Sequence, residues 1–219
     1  TESSPVSTFN SGNQILLNAS GSLQIDNRIL TYMDNQWKAE NEFSWSDLTG
    51  KTNVTAVYPV YPDLDYVQEN LYKNNSLEDI LYVKDEFPAG NSIHLQFKHL
   101  FSLLTLYLDR DLQTNLQKIE ITCPAVSSII PKSAEIVPAD NETHTTTIAQ
   151  VSPSGNYSFI VPPVGNMVIA INMVTNGKKY TTQLETKSFT GNKEYTYHLK
   201  TSEKTPGIIT AEDWIAFSQ

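Results

Sequence analysis

The sequence predicts an all-β fold. Three observations carry that reading: short apolar runs rich in Thr, Val, Ile and Tyr, turn residues (Asn, Ser, Pro, Gly) recurring every few positions between them, and a scarcity of helix-favouring residues. The chain has 219 residues, 39% of them hydrophobic, enough to bury a core. That length accommodates one large β domain or two of about 100 residues each.

The elements follow in order. Before the middle of the chain, strands are expected at "NQILLNAS" (13–20), "RILTYM" (28–33), "NVTAVYPVYP" (53–62) and "DILYVKDEF" (79–87). After it come "LQKIEITCP" (116–124), "SAEIVPA" (133–139), "HTTTIAQV" (144–151), "NYSFIVPP" (156–163), the pair within 167–186, "EYTYHLK" (194–200) and "TAEDWIAF" (210–217). "TNGK" at 175–178 is the strongest hairpin signal, because Asn176 and Gly177 tolerate the positive φ of a two-residue primed turn. Pro59, Pro62, Pro124, Pro138, Pro162 and Pro163 remove ladder donors, so their strands are expected at sheet edges or to end there. Many edges imply small open sheets and not a closed barrel.

The stretch "LQFKHLFSLLTLYL" (95–108) joins the two groups. As a strand it places Leu95, Phe97, His99, Phe101, Leu103, Thr105 and Tyr107 on one side. Gln96 and Lys98 then face outward in the first half, whereas the second half is apolar on both sides. As a helix it would be apolar nearly all round with no capping box, so the strand is preferred. Wet on one face at its start and buried on both at its end, it marks a domain junction. The expected division is residues 1–90, with a flexible leader at 1–12, and residues 91–219.

Composition excludes several classes. With 15 Lys and Arg against 24 Asp and Glu, net charge -9, there is no basic stripe for nucleic acid. No run reaches the roughly 20 apolar residues of a membrane-spanning helix. The single cysteine, Cys123, closes no intrachain disulfide, fits no zinc pattern and reads as a small buried apolar residue. The opening "TESSPVSTFNSGN" has the polar character of a leader left after removal of an export signal.

At this point four motifs stand in order across the chain: "VTAVYPVYPD", "DILYVKDEF", "IHLQFKHLFSLLTLYL" and "KEYTYHLK…GIITAEDWIAF". Together they resemble the fimbrillin family, the Mfa-like and type V pilin proteins of Bacteroides-type bacteria. The chain departs modestly from the family pattern: Val57 intervenes before Tyr58, the second motif reads Ile-Leu-Tyr-Val, and the sequence stops soon after Trp214 and Phe217. The resemblance implies two tandem transthyretin-like (Ig-like) β-sandwich domains in an exported, cell-surface protein of the outer membrane. Its lipid anchor would be absent from this sequence. It further implies a pilus subunit of stalk, anchor or tip, whose partners are other pilin subunits joined by strand donation.

Strand donation has its own physics. A sandwich missing a strand exposes unpaired amides and carbonyls beside core side chains, and an alternating strand from a neighbour satisfies both. The candidate exchanging strands are at the ends: Ile15, Leu16 and Leu17 in the first, and Ile209, Trp214, Ile215 and Phe217 in the last, with Trp214 and Phe217 as bulky plugs. In family pilins a trypsin-like protease cuts after an arginine in the loop following the first strand. The resemblance assigns that role here to Arg28, which otherwise reads as a solvated surface arginine.

Other features compete for a function. His99, set among leucines, reads either as a metal ligand or base, or as a half-buried side chain bonded to a backbone carbonyl at the junction. The spacing of His94, His144 and His198 builds no metal cage, which favours the structural role, and no cofactor is expected. In "YPVYPDLDYVQENLY", Tyr58, Tyr61, Tyr66 and Tyr72 stand with Asp63 and Asp65, the composition of a sugar-binding surface with Tyr58, Tyr61 and Tyr66 as its candidate rings, since rings stack on pyranose faces while acids accept from hydroxyls. Packing of those tyrosines at a sandwich rim is the competing reading. The Asp-x-Asp pair lacks the glycine-punctuated loop of an EF-hand. No nucleophile elbow, P-loop, dinucleotide fingerprint or zincin motif is present, so no enzyme is expected. Sequons at Asn18, Asn53, Asn74, Asn141 and Asn156 arise readily by chance in so Asn- and Thr-rich a sequence. Two functions therefore stand side by side: a fimbrillin-like pilus component contributing to adhesion, and a surface lipoprotein that binds a glycan or host ligand without polymerising.

Overall fold

A computed structural model describes residues 5–41, 50–90, 92–149, 155–164, 167–186, 189–201 and 209–214. Within them the fold is all-β. The first sheet has six strands: β1 (Gln14–Gly21), β2 (Ile25–Met33), β3 (Gln36–Ala39), β4 (Thr52–Tyr58), β7 (Leu81–Phe87) and β8 (Lys98–His99), in the order β3-β2-β1-β4-β7-β8. Between β4 and β7 the chain makes a 3-10 turn at Pro62–Leu64, a one-turn helix α1 (Gln68–Leu71) and a two-stranded ladder of β5 (Tyr72–Lys73) and β6 (Ser76–Leu77).

β1 lies inside this sheet, and its sequence says why. Ile15, Leu16 and Leu17 are fully buried, so successive side chains enter apolar surroundings on opposite faces, the pattern of a strand covered on both sides. On one face Ile15, Leu17 and Ala19 join Ile25, Leu30, Val54, Ala56 and Val83. On the other Leu16 joins Val57, Tyr61, Tyr66 and Leu71. The two-residue hairpin β2–β3 turns on Asp34 and Asn35, with φ of 52° and 60°. The strand it opens, "QWKA", was not anticipated, because four residues without a β-branched run give little period-2 signal.

Two further sheets follow. One holds β10 (Leu116–Ile130), β11 (Glu135–Ile148), β13 (Met167–Thr175) and β14 (Lys178–Thr186) in the order β11-β10-β13-β14. The other holds β9 (Ser102–Leu108), β12 (Asn156–Val161), β15 (Glu194–Thr201) and β16 (Ile209–Trp214) in the order β12-β9-β15-β16, and a one-turn helix α2 (Arg110–Gln113) leads from β9 to β10. They enclose one core that includes Leu104, Leu106 and Leu108 of β9, Ile119 and Ile121 of β10, Tyr157 and Phe159 of β12, and Ile169 and Ile171 of β13. Asn176 and Gly177 form the β13–β14 turn with φ of 50° and 70°, as "TNGK" predicts.

The stretch 95–108 is extended but not one strand. Ile93, Leu95 and Phe97 pack against the first sheet, with Gln96 and Lys98 exposed as the alternation requires. Lys98 and His99 then pair with Tyr82 and Leu81, and from Ser102 the chain joins β12 and β15 in another sheet. The break falls at Leu100 and Phe101, 7% and 1% exposed, which plug the space between the sheets. Changing sheets forces the interruption, since one continuous ladder cannot serve two differently oriented neighbours.

The hairpin β10–β11 binds the halves together. Its base lies in the sandwich, while Val126, Ile129 and Ala134 near its tip fill the core under the six-stranded sheet. Ile129 N–H donates to the Tyr66 carbonyl at 2.9 Å, and Val126 N–H donates to Tyr72 Oη at 3.0 Å. Pro124 and Pro138 are tolerated for the expected reason: β11 is an edge strand, and β10 has left β13 after Thr122. Among the described residues no helix is long and apolar enough to cross a membrane.

Candidate assembly interface

The first candidate strand is held on both sides. β1 pairs antiparallel with β2 from Gln14↔Thr31 to Ala19↔Ile25, and with β4 from Leu16↔Val57 to Gly21↔Thr52. Taking it out would leave two facing rows of unpaired backbone groups flanked by Leu30, Val54, Ala56 and Val57, a groove fitted to an alternating apolar strand.

Residues 5–13, expected as a flexible leader, are tied to this sheet. Val6 N–H donates to Asp79 Oδ2 at 2.7 Å, and Gly12 N–H donates to the Tyr32 carbonyl at 2.9 Å. The Phe9 ring sits 5.0 Å from Trp37, 5.3 Å from Tyr58 and 5.0 Å from Phe97, edge to face with each. These aromatics come from four distant places in the chain, so no local pattern announces the cluster.

Arg28, the candidate cleavage residue, lies within β2 opposite Leu17 of β1 and not in a loop as in the family pattern. It directly follows a bulge in which Asp26 and Asn27 together stand opposite Asn18, with Asn27 at φ 50°. The β3 ladder begins only at Leu30, so at Arg28 the strand is paired through β1. Ile209 and Trp214 open and close β16, the last strand of its sheet, through the pairs Thr201↔Ile209 and Thr196↔Trp214. Ile215 and Phe217 lie outside the described residues.

The tyrosines expected to offer a sugar platform are turned inward. Tyr61 and Tyr66 are 4% and 2% exposed, with their rings 5.0 Å apart edge to face. Tyr61 Oη donates to Glu78 Oε2 at 2.5 Å, and Tyr66 Oη donates to the Pro59 carbonyl at 2.7 Å. Burial, reinforced by the Glu78 carboxylate, holds the Tyr61 phenol far above its ordinary range, and burial does the same for Tyr66. Half-buried Tyr58 packs on the opposite face of the sheet against Phe9. The three rings cannot present one stacking surface, and Asp63 and Asp65 remain exposed on the connecting turn.

His99 has the structural role, with a different partner from the expected carbonyl. Its Nδ1 lies 3.0 and 2.9 Å from the two carboxylate oxygens of Asp79, whose side chain is 5% exposed. Its N–H donates to Asn192 Oδ1 at 3.0 Å, and Asn192 N–H donates to the Phe101 carbonyl at 3.0 Å. Gly191 approaches so closely that a Cβ there would lie 2.4 Å from the Leu100 carbonyl oxygen. A cleft of about 180 Å³ between Pro5, Asp79, His99 and Asn192 marks this meeting of leader, first sheet and sandwich.

This arrangement of sheets has relatives. The fimbrillin-like family model matches residues 5–214. The chain belongs to the fimbrillin-like family. Proteins of known structure share its fold along nearly the whole length. A candidate cell adhesion protein from Bacteroides uniformis ATCC 8492 superposes with TM-score 0.61 at 14% identity, covering 94% of this chain and 93% of that one. A second from Bacteroides ovatus ATCC 8483 gives 0.62 at 16% identity, over 96% and 90%. The tip fimbrial protein Mfa3 from Porphyromonas gingivalis, with C-terminal truncation, gives 0.52 at 10% identity, over 94% of each chain. No curated protein matches the sequence.

Proposed function

We propose that this fimbrillin-like chain is a structural, non-catalytic component of a cell-surface pilus, assembling with other pilin subunits by strand donation. Membership of the family across residues 5–214 carries the reading. It is supported by the construction of the first sheet, in which a single apolar strand, β1, completes two ladders and contributes to two cores. Release of β1 opens a groove, and β16, at the outer end of its own sheet, is the strand offered to a neighbour's groove. The same reading divides the chain into two domains that meet at Leu100 and Phe101, and it places the subunit at the outer membrane through a lipid anchor. Polymerisation outranks solitary glycan binding through the tyrosine-rich turn, because Tyr61 and Tyr66 are used in packing.

The test is native digestion with a trypsin-like protease, followed by electrophoresis in SDS without heating. Loss of residues 1–28 together with a ladder of SDS-resistant multimers is the expected result. Protein that loses those residues yet stays monomeric, or retains them after exhaustive digestion, rules out this activation route.

A further inference from the structure

Beside the hairpin tip, the face of the six-stranded sheet that carries Leu16 and Val57 changes character. Register places Asn18, Thr55 and Lys84 in one row across β1, β4 and β7, and Ser20, Asn53 and Glu86 in the next. Asp26, pushed out by the β2 bulge, and Lys132 and Ser133 of the β10–β11 turn wall the far side. The result is a trough of about 570 Å³, within the roughly 300–1,000 Å³ of small-molecule sites.

Its floor holds an unusual side chain. Asn18 is 6% exposed; its Oδ1 accepts from Asn27 N–H at 2.9 Å, but its Nδ2 has no hydrogen-bond partner. Among the described residues, the buried side-chain polar atoms lacking a partner are Asn18 Nδ2 and Ser133 Oγ, and both residues line this trough. An unpaired buried polar group costs about 1–3 kcal/mol, and the residues that carry these two both line one trough, which points to a polar ligand that pairs them once the side chains turn to it.

We propose that the trough binds a neutral saccharide through its hydroxyl groups. Each sugar hydroxyl donates one hydrogen bond and accepts others, so it needs donors and acceptors side by side. The trough supplies donors in Asn18 and Lys84, an acceptor in Glu86, and groups that do both in Thr55, Ser133 and Asn53. An anion is disfavoured. The carboxylates of Asp26 and Glu86 stand in the lining, and the cations near it are engaged, Lys132 with Asp26 at 2.7 Å, Lys51 with Glu86 at 2.6 Å and Lys84 with the Ser133 carbonyl at 3.3 Å. The site needs no assembly and stands apart from the inward-turned tyrosines, so its failure would leave the pilin reading untouched.

The experiment titrates ¹⁵N-labelled protein with a panel of free neutral mono- and disaccharides, with glycerol, a uronic acid and inorganic phosphate as separate arms, following the Asn18 side-chain amide signals. At least one neutral saccharide should shift them saturably. Thr55→Val and Ser133→Ala, which remove hydroxyls and leave β1 intact, should each weaken that binding about tenfold without changing the melting temperature. The proposal is overturned if no saccharide moves the Asn18 amide, if glycerol at equal concentration does so as well, if the anions bind instead, or if both variants bind like the parent chain.

Discussion

Asp79 shows how much one buried carboxylate can organise. It accepts from Val6 N–H and faces His99 Nδ1 with both oxygens, so a single side chain ties the N-terminal segment to the point where the chain leaves the first sheet. Asp79→Ala leaves an amide and an imidazole at this junction without their acceptor, at an expected cost of about 1–3 kcal/mol. Amide exchange at Val6 and proteolysis within residues 5–13 should accelerate, both measurable by mass spectrometry; unchanged exchange at Val6 would show that Phe9 alone anchors the segment. Little of this was legible beforehand. His99 could be assigned a structural role because the other histidines have no metal-cage spacing, but Asp79 stands 20 positions away and its significance lies in burial. Asn18 did leave a signal, as the polar residue within Ile15–Ala19, a run otherwise apolar on both sides. Tyr61 and Tyr66 carry two readings in sequence because aromatic and acidic residues together describe both a sugar platform and a packed rim, and only their exposure separates the two.

Strands were far more legible than their neighbours. The period-2 pattern located β1, β2, β4, β7 and β12 to β15 to within a few residues, since each buries at least one face. The prolines also reported correctly on edges. What sequence could not convey is that β10 and β11, read as three short strands (116–124, 133–139 and 144–151), form one long hairpin whose far end enters a different core. That information is in the partners: Ile129 is an ordinary strand isoleucine until it meets Tyr66. At 4% exposure it fills space between the hairpin and the six-stranded sheet. Ile129→Ala should therefore cost about 2–5 kcal/mol, the usual range for truncating a buried aliphatic side chain. Urea unfolding followed by circular dichroism and by tryptophan fluorescence checks this, and the two probes should shift together. A fluorescence transition separating from the other would mean that the halves are held by independent cores.

Across the whole molecule, the proposed exchange of β1 and the proposed saccharide trough draw on the same strand. Asn18 lies on β1, so only a subunit retaining its own β1 carries a complete trough, and a groove refilled by another strand does not rebuild it. The cohesion of that intact state depends on hydroxyls and a thiol kept neutral in apolar surroundings. Burial pushes the Tyr72 phenol up to about 12 and the Cys123 thiol up to about 12, and it raises Tyr58, Tyr61 and Tyr66 as well. In the unfolded chain phenols ionise near 10.0 and the thiol near 9.0. Above those values the unfolded state binds fewer protons than the native one, so stability falls as pH rises. The contribution is complete below about pH 9 and is progressively lost toward about pH 12. Alkaline titration followed by phenolate absorbance should therefore show the tyrosines of this set ionising in the same step in which circular dichroism reports unfolding, with Cys123 becoming reactive toward thiol reagents at that step and not before. Ionisation of Tyr61, Tyr66 and Tyr72 near pH 10 in a chain whose circular dichroism is still native would contradict the packing of the β10–β11 hairpin against the first sheet.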